Sequence, residues 1–324
     1  KINKIYKKFE RNIQSLDGNS SFVAAISGGS DSLALAFFLK CYSLKHKKKI
    51  YYCHVDHKLR KESGLEAKKI KKILKKKDIN CKILFWKGKK PSSNIQSRAR
   101  QKRYDLLERN IYKKKVSHIL TAHHFDDLNE NFFIRMTRGS GLEGLVSFNS
   151  INTEYNKKVN ILRPLLNIKK RDLEFISEKV FKFYVKDPSN ESIRFKRVRI
   201  RNLIKQLSEE GLDTNKILLT INNLTESNIA INYFVKQNLI NNTKILDNGR
   251  KCLIDNCFFQ NPNEIIFRSL SNILSNVGKK YYPPRGKSIT QLINRMHSSN
   301  FKKTTLSRCV IEKVNNYFII SEES

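Results

Sequence analysis

The hexapeptide SGGSDS, comprising Ser27, Gly28, Gly29, Ser30, Asp31 and Ser32, follows a short apolar run and precedes an apolar segment of helical period. Two adjacent glycines let the backbone turn tightly and aim successive N–H groups at one point, where the start of a helix adds positive potential. Such a loop can cradle phosphate. It contains no GKS or GKT and therefore lacks the lysine of a Walker loop. Asp31 would repel a phosphate unless a cation lay between them, so the phosphate reading brings Mg2+ with it, held by Asp31. The six residues taken alone also fit a glycine turn with capping serines.

Three more clusters carry usable chemistry. In HVDHKLR (54–60), strand alternation puts His54 and Asp56 on one face at the carboxyl edge of a sheet, where open α/β folds bind ligands. Edge histidines bonded to loop backbone would read the same way, and no further ligands stand at zinc spacing. In NIQSRARQKRY (94–104), Arg100 and Arg103 share a helix face, as a planar clamp on phosphate or as solvated surface. The densest cluster is TAHHFDDLNEN (121–131). With a helix starting near Phe125, Asp127 and Glu130 are i,i+3 neighbours and His123 precedes them at the same edge. Adjacent carboxylates repel and want Mg2+ or an ammonium. An acidic first turn complementing the helix dipole accounts for Asp126 and Asp127, but not for Glu130 and the histidines together.

The elements that must hold these residues alternate along the first half. Strands are expected at 22–26, 50–55, 81–86 and 118–122, and helices at 31–44, 62–77, 95–112 and 126–136, with Leu65, Ile70, Ile73 and Leu74 as the buried stripe of the second helix. The class is α/β with a doubly wound parallel sheet. After the loop RGSGLEGL (138–145) come a strand at 160–163, a helix at 169–181, a DPSN turn (187–190) and a basic helix at 195–207. The helix carries Lys196, Arg197, Arg199 and Arg201, preceded by Arg194, with charge nearly all round, as a phosphate-backbone contact or a solvated surface. Asn-rich helical periodicity over 213–240 marks the domain boundary. The remainder is expected to be a small mixed α+β domain, with a hairpin turn at Asn315 and Asn316.

The 324 residues include 64 Lys plus Arg against 29 Asp plus Glu, a formal net charge of +35. Of these, 32 basic but only 9 acidic residues lie in the first 120, which favours a polyanionic partner for the chain as a whole. A 39% hydrophobic content excludes a wholly disordered chain. No apolar run of roughly eighteen residues is present, which excludes a helical membrane span. The first twelve residues have neither an apolar signal core nor a small-residue cleavage site, so a cytoplasmic location is expected. The first residue is Lys, and a few residues are expected to precede it. Six cysteines without a CxxC pair argue for reduced thiols and against structural zinc, an iron-sulfur cluster or paired-thiol sulfur transfer.

SGGSDS resembles the signature of the PP-loop ATP pyrophosphatase superfamily, whose members cleave ATP between the α and β phosphates. The four clusters in this order, followed by RGSGLEGL, RPLL (163–166), DPSN and RFKRVRIRN (194–202), closely resemble the tRNA(Ile)-lysidine synthetase family. The match is specific over 22–202 and weaker to the end, where 304–323 resembles the family's carboxy-terminal domain, present here as a single short copy. The resemblance implies a PP-loop catalytic domain (1–210), a helical linker (211–240) and a tRNA-recognition domain (241–324). It also implies ATP and Mg2+ as cofactors, and free L-lysine and the CAU-anticodon tRNA(Ile) as partners, with a homodimer possible and no membrane. The wobble cytidine (position 34) would be adenylated at O2 and then attacked at C2 by the lysine amine, giving lysidine and turning AUG decoding into AUA decoding. Ser27, Gly28, Gly29, Ser30, Asp31 and Ser32, with His54 and Asp56, would hold the nucleotide. Arg103 would stabilise the adenylated intermediate or the leaving AMP, Asp127 and Glu130 would hold the lysine ammonium, and His123 would take a proton from it. The competing readings are a tRNA thiolase or another PP-loop enzyme, a noncatalytic RNA-binding protein and a metal-dependent hydrolase. A thiolase would want paired cysteines near the loop, and a mere RNA binder would gain nothing from the acidic residues.

Overall fold

The computed structural model describes residues 1–14, 21–58, 62–86, 95–112, 116, 118–149, 152–156, 159–185, 196–280, 283–298 and 300–323. The DPSN turn, Arg60, Asn94, Arg194 and Phe195 lie outside the described residues. The chain divides into two compact units, Lys1–Asn222 and Asn223–Ser324.

In the first unit the alternating pattern becomes α1 (Ile2–Gln14), β1 (Phe22–Ala25), α2 (Ser30–His46), β2 (Ile50–Asp56), α3 (Ser63–Lys75), β3 (Cys81–Phe85), α4 (Ile95–Tyr112) and β4 (His118–Leu120). There follow α5 (Phe125–Met136), α6 (Leu142–Val146), β5 (Asn152–Asn156), β6 (Val159–Leu162), α7 (Lys170–Phe181), α8 (Lys196–Glu209) and α9 (Thr214–Asn242), whose later turns belong to the second unit. The first helix adds to the pattern read from sequence. Ile5, Phe9 and Ile13 recur every four residues among lysines, and all three are buried.

The sheet order is β3-β2-β1-β4-β6-β5, parallel except for β5, which pairs antiparallel with β6 at the edge. Alternation in β1 sends Phe22 and Ala24 to the face covered by α1, α2, α3 and α7, and Val23 to the face where Tyr104 and Leu107 of α4 pack. Helices therefore cover both faces, as a buried parallel sheet requires. The winding runs outward from β1 through β2 to β3, whereas β4 pairs on the other side of β1. The switch point thus lies between β1 and β4, where ligands of such sheets bind beyond the carboxyl ends.

The second unit is α+β. Strands β7 (Thr243–Leu246), β8 (Lys251–Asp255), β9 (Lys303–Leu306), β10 (Cys309–Val314) and β11 (Tyr317–Glu322) form an antiparallel sheet ordered β7-β8-β11-β10-β9. Helices α10 (Asn263–Val277) and α11 (Gly286–Met296) contribute Ile266, Leu270, Leu274, Ile289 and Leu292 to the core beneath it. Asn315, at φ 53°, turns β10 into β11. Ser307 and Arg308, both at positive φ, make the two-residue turn between β9 and β10, although their types do not announce one. Among the described residues no helix is long and apolar enough to cross a membrane.

Candidate active site

β1 and β4 are neighbours, so the two motifs that follow them are neighbours as well. After β1 the chain turns through Gly28 at φ 95° and enters α2 with Gly29 as its N-cap, leaving the first-turn amides of α2 without a capping side chain. Ser32 Oγ accepts from the Gly28 N–H at 2.9 Å and donates to the Gly29 carbonyl at 2.9 Å, bracing the turn from inside. Ser27 Oγ donates to Ser32 Oγ, and Ser30 Oγ to Asp31 Oδ1, each at 3.1 Å. The Gly28 carbonyl receives the Val185 N–H, which ties the loop to the segment after α7.

After β4 the chain passes Thr121, His123 and His124 before α5 begins. His124, 4% exposed, meets three carboxylates. Its Nε2 lies 3.5 Å from Asp31 Oδ2 and 3.5 Å from Asp127 Oδ2, and its Nδ1 lies 3.5 Å from Asp126 Oδ2. Burial opposes its charge, but Asp126, Asp31 and Asp127 prevail and raise the pKa to about 10. Asp127 Oδ2 also accepts the backbone N–H of His124, and Asp126 Oδ2 that of Lys170. His123 lies in the opposite field. Its Nδ1 is 2.9 Å from Thr121 Oγ1, which donates to the Leu162 carbonyl. Burial, with Arg163, Arg100, Arg197 and Arg103 around it, holds its pKa well below the usual histidine value.

Glu130 is 3% exposed, one turn along α5 from Asp127. Its Oε1 accepts from Arg201 Nε of α8, while Oε2 is buried with no hydrogen-bond partner among the described residues. Burial raises its pKa although Arg201 counteracts. α8 is therefore not only a solvated or RNA-facing helix. Val198 and Ile200 are buried and Arg201 turns inward, while Arg197 and Arg199 stay exposed.

At the end of β2, His54 Nδ1 meets the Ile26 carbonyl at 2.9 Å, and Asp56 Oδ1 accepts from the Lys58 N–H at 2.9 Å. Both side chains are buried beside the phosphate loop. Arg103 of α4 is open to solvent, and its charge reaches His54, His57 and His123. Beyond β6, Arg163 stacks on Phe148, with its guanidinium 4.8 Å from the ring centroid, and His123 meets Phe148 edge-on.

The nominated residues thus converge at the carboxyl ends of β1, β2 and β4. His124 and Arg163, given no role from sequence, join them, as does Arg201, which was expected only as a phosphate-backbone contact or solvated surface. His124 stood inside the acidic motif, and its only signal was its place between Asp31-type and Asp127-type chemistry, which needs the fold to be seen. Uncapped first-turn amides and a partly exposed carboxylate at the mouth of the loop suit a nucleoside triphosphate with Mg2+, which commonly takes one or two carboxylates and completes its shell with phosphate oxygens and water. Among the described residues no group of three or more His, Cys, Asp and Glu could hold a metal alone.

Residues 1–207 match the family model of the PP-loop domain. The chain is 34% identical over 314 residues to the tRNA(Ile)-lysidine synthase of Orientia tsutsugamushi (strain Boryong), covering 94% of this chain and 70% of that protein. It is 32% identical over 327 residues to the synthase of Rickettsia felis (strain ATCC VR-1525 / URRWXCal2), covering 98% and 74% respectively. Among solved structures, the U34-tRNA thiolase NcsA from Methanococcus maripaludis with its [4Fe-4S] cluster aligns with a TM-score of 0.57 at 19% identity, over 69% of this chain and 78% of that one, a likeness of fold. The sequence kinship extends through both units, well beyond the phosphate loop, and places this chain in the tRNA(Ile)-lysidine synthase family of ATP-dependent PP-loop enzymes.

Proposed function

We propose that the chain joins the ε-amine of free L-lysine to C2 of the wobble cytidine of tRNA(Ile) bearing the CAU anticodon. The observation that carries this reading is the meeting of a phosphate cradle and an acid-bearing helix at adjacent strand ends, with one buried oxygen, Glu130 Oε2, left without a partner among the described residues. An ammonium is the donor that such an oxygen, next to Asp127, would accept.

When bound, Mg-ATP supplies the adenylyl group that activates the cytosine O2 and later leaves as AMP. The chain's own residues then position and neutralise. The loop amides and Asp31 would hold the phosphates and the cation, with His54 and Asp56 on the nucleotide side. Arg103 would stabilise the negative charge that develops on the phosphate, which is electrostatic preorganisation rather than covalent catalysis. Asp127 and Glu130 hold the lysine ammonium at the neighbouring strand end. The amine must lose a proton before it attacks. With Thr121 donating to Leu162, His123 donates through Nδ1, so its Nε2 carries the lone pair that would take that proton, while burial and the surrounding arginines keep the ring neutral and make it a weaker base than an ordinary histidine. The basic residues of α8 and the second unit, residues 223–324, would position the tRNA, of which one splayed base enters the site. The proposal further includes a homodimer, tested by sedimentation, and a cytoplasmic location.

Labelled lysine incubated with ATP and unmodified CAU transcripts of tRNA(Ile) and elongator tRNA(Met) tests the reading. ATP-dependent labelling of the isoleucine transcript alone, abolished in Asp31→Ala, is the expected result. Pyrophosphate release stimulated by tRNA without lysine incorporation would overturn lysine as the acceptor.

A further inference from the structure

We propose that His124 is the positioning residue of the two half-sites, a single buried ring whose Nε2 stands against both the phosphate-loop carboxylate Asp31 and the α5 carboxylate Asp127 and sets their spacing. The inference rests on the reading of Asp31 as the nucleotide-side acid and Asp127 as the lysine-side acid. Both carboxylates approach the same atom, Nε2, at 3.5 Å, so the two oxygens lie within twice that distance of each other. Asp31 opens α2 and Asp127 lies in the first turn of α5, and these helices follow different strands. Nothing in the local backbone of either helix sets the distance between the two acids, whereas the ring touches both.

The ring itself is well anchored. The His124 N–H donates to Asp127 Oδ2 at 3.2 Å, and its carbonyl accepts from Leu128 at 3.2 Å. The residue bridges in parallel to Leu165, and the next N–H, of Phe125, donates to the Ile168 carbonyl. Asp126, on the Nδ1 side, is itself held by the Lys170 N–H. Carboxylates only accept, so three of them around one site repel unless donors stand between them. The His124 ring stands between them, with Nε2 3.5 Å from Asp31 and from Asp127 and Nδ1 3.5 Å from Asp126, and is almost wholly sealed from solvent. Removing the ring would let Asp31 and Asp127 separate, displacing the phosphates and the lysine amine together. The chemistry of neither group would change, but their relative distance would.

The test uses the full chain with tRNA(Ile) transcript and three variants. His124→Gln places an amide N–H2 close to the Nε2 position, His124→Asn places one at the Nδ1 position, and His124→Leu keeps bulk without donors. Two reactions are followed: tRNA-dependent ATP–pyrophosphate exchange, which needs no lysine, and lysine transfer. His124→Gln should stay close to wild type. His124→Asn and His124→Leu should lose roughly 10- to 100-fold in kcat/KM for transfer, with KM for ATP in exchange and KM for lysine rising together. Equal losses in all three variants that track their loss of Tm would overturn the proposal, because packing alone would explain them. A rise in only one of the two KM values would overturn it as well. If the Leu variant fails to fold, the difference between Gln and Asn decides. If the wild type transfers no lysine, the function proposed above falls, yet exchange still tests the present inference through the Gln and Asn values of KM for ATP.

Discussion

Gly28→Ala probes the phosphate loop at its tightest point. A Cβ built there would lie 2.2 Å from Ile70 Cδ1 and 2.8 Å from Ile70 Cγ1, in a backbone at φ 95°. Ile70 is 1% exposed and packed in the core, so it cannot swing into solvent. Holding an L-residue at that φ costs about 1–3 kcal/mol. Forcing a methyl against a packed isoleucine costs about 1–3 kcal/mol more. Together they remove roughly 2–6 kcal/mol of the ~5–15 kcal/mol that typically stabilises a domain. The two contributions are separable. Ile70→Ala deletes both obstructing atoms and alone costs about 2–5 kcal/mol as a cavity. In the double variant the overpacking vanishes while the backbone cost remains, so its destabilisation should fall short of the sum by about 1–3 kcal/mol. Trp86 is the single tryptophan, so its emission during urea unfolding reports the first unit alone. A Gly28→Ala midpoint equal to wild type, or strict additivity in the double variant, would refute the reasoning.

Arg201→Ala strands a buried carboxylate. Because Arg201 is 32% exposed, the expected loss is about 1–3 kcal/mol rather than that of a fully buried pair, and Glu130→Gln in the same chain should recover part of it in urea unfolding. His57 has neither ring nitrogen hydrogen-bonded among the described residues, and burial, Arg103 and His54 depress its pKa to about 4. The unfolded chain therefore binds this proton first. Stability from His57 should be fully present above the ordinary histidine value and be lost as pH falls toward 4, and His57→Gln should flatten the slope of stability against pH in that window. Thiol labelling at pH 8 should find Cys257 first and Cys41 slowly. Burial lifts Cys53, Cys252 and Cys309 to about 11 and Cys81 to about 12, so these four should react only after denaturation.

Local patterns carried most of the elements, because a buried parallel strand, an amphipathic helix and a glycine-rich turn each write their signature within a few residues. β1, α2 and the SGGSDS turn between them are of this kind, as is the i,i+3 placement of Asp127 and Glu130 on α5. Elements whose signature is weak or masked were harder to see. Lysines crowd the apolar stripe of α1, β5 is an edge strand with few apolar residues, and the β9–β10 turn uses Ser307 and Arg308 where Asn-Gly would have declared it.

What no stretch of residues could decide is which ends meet. Asp31 and His124 are separated by 93 residues, and Glu130 and Arg201 by 71. Their contacts follow from strand order and helix packing, which place β4 beside β1 and α8 against α5. A loop's chemistry can be read from its own sequence, since backbone geometry is local. The sign of a neighbouring histidine cannot, since Coulomb and burial effects depend on everything within a few ångströms. So His123 and His124, adjacent in sequence and identical in type, end with pKa values pushed in opposite directions, one among arginines and the other among carboxylates.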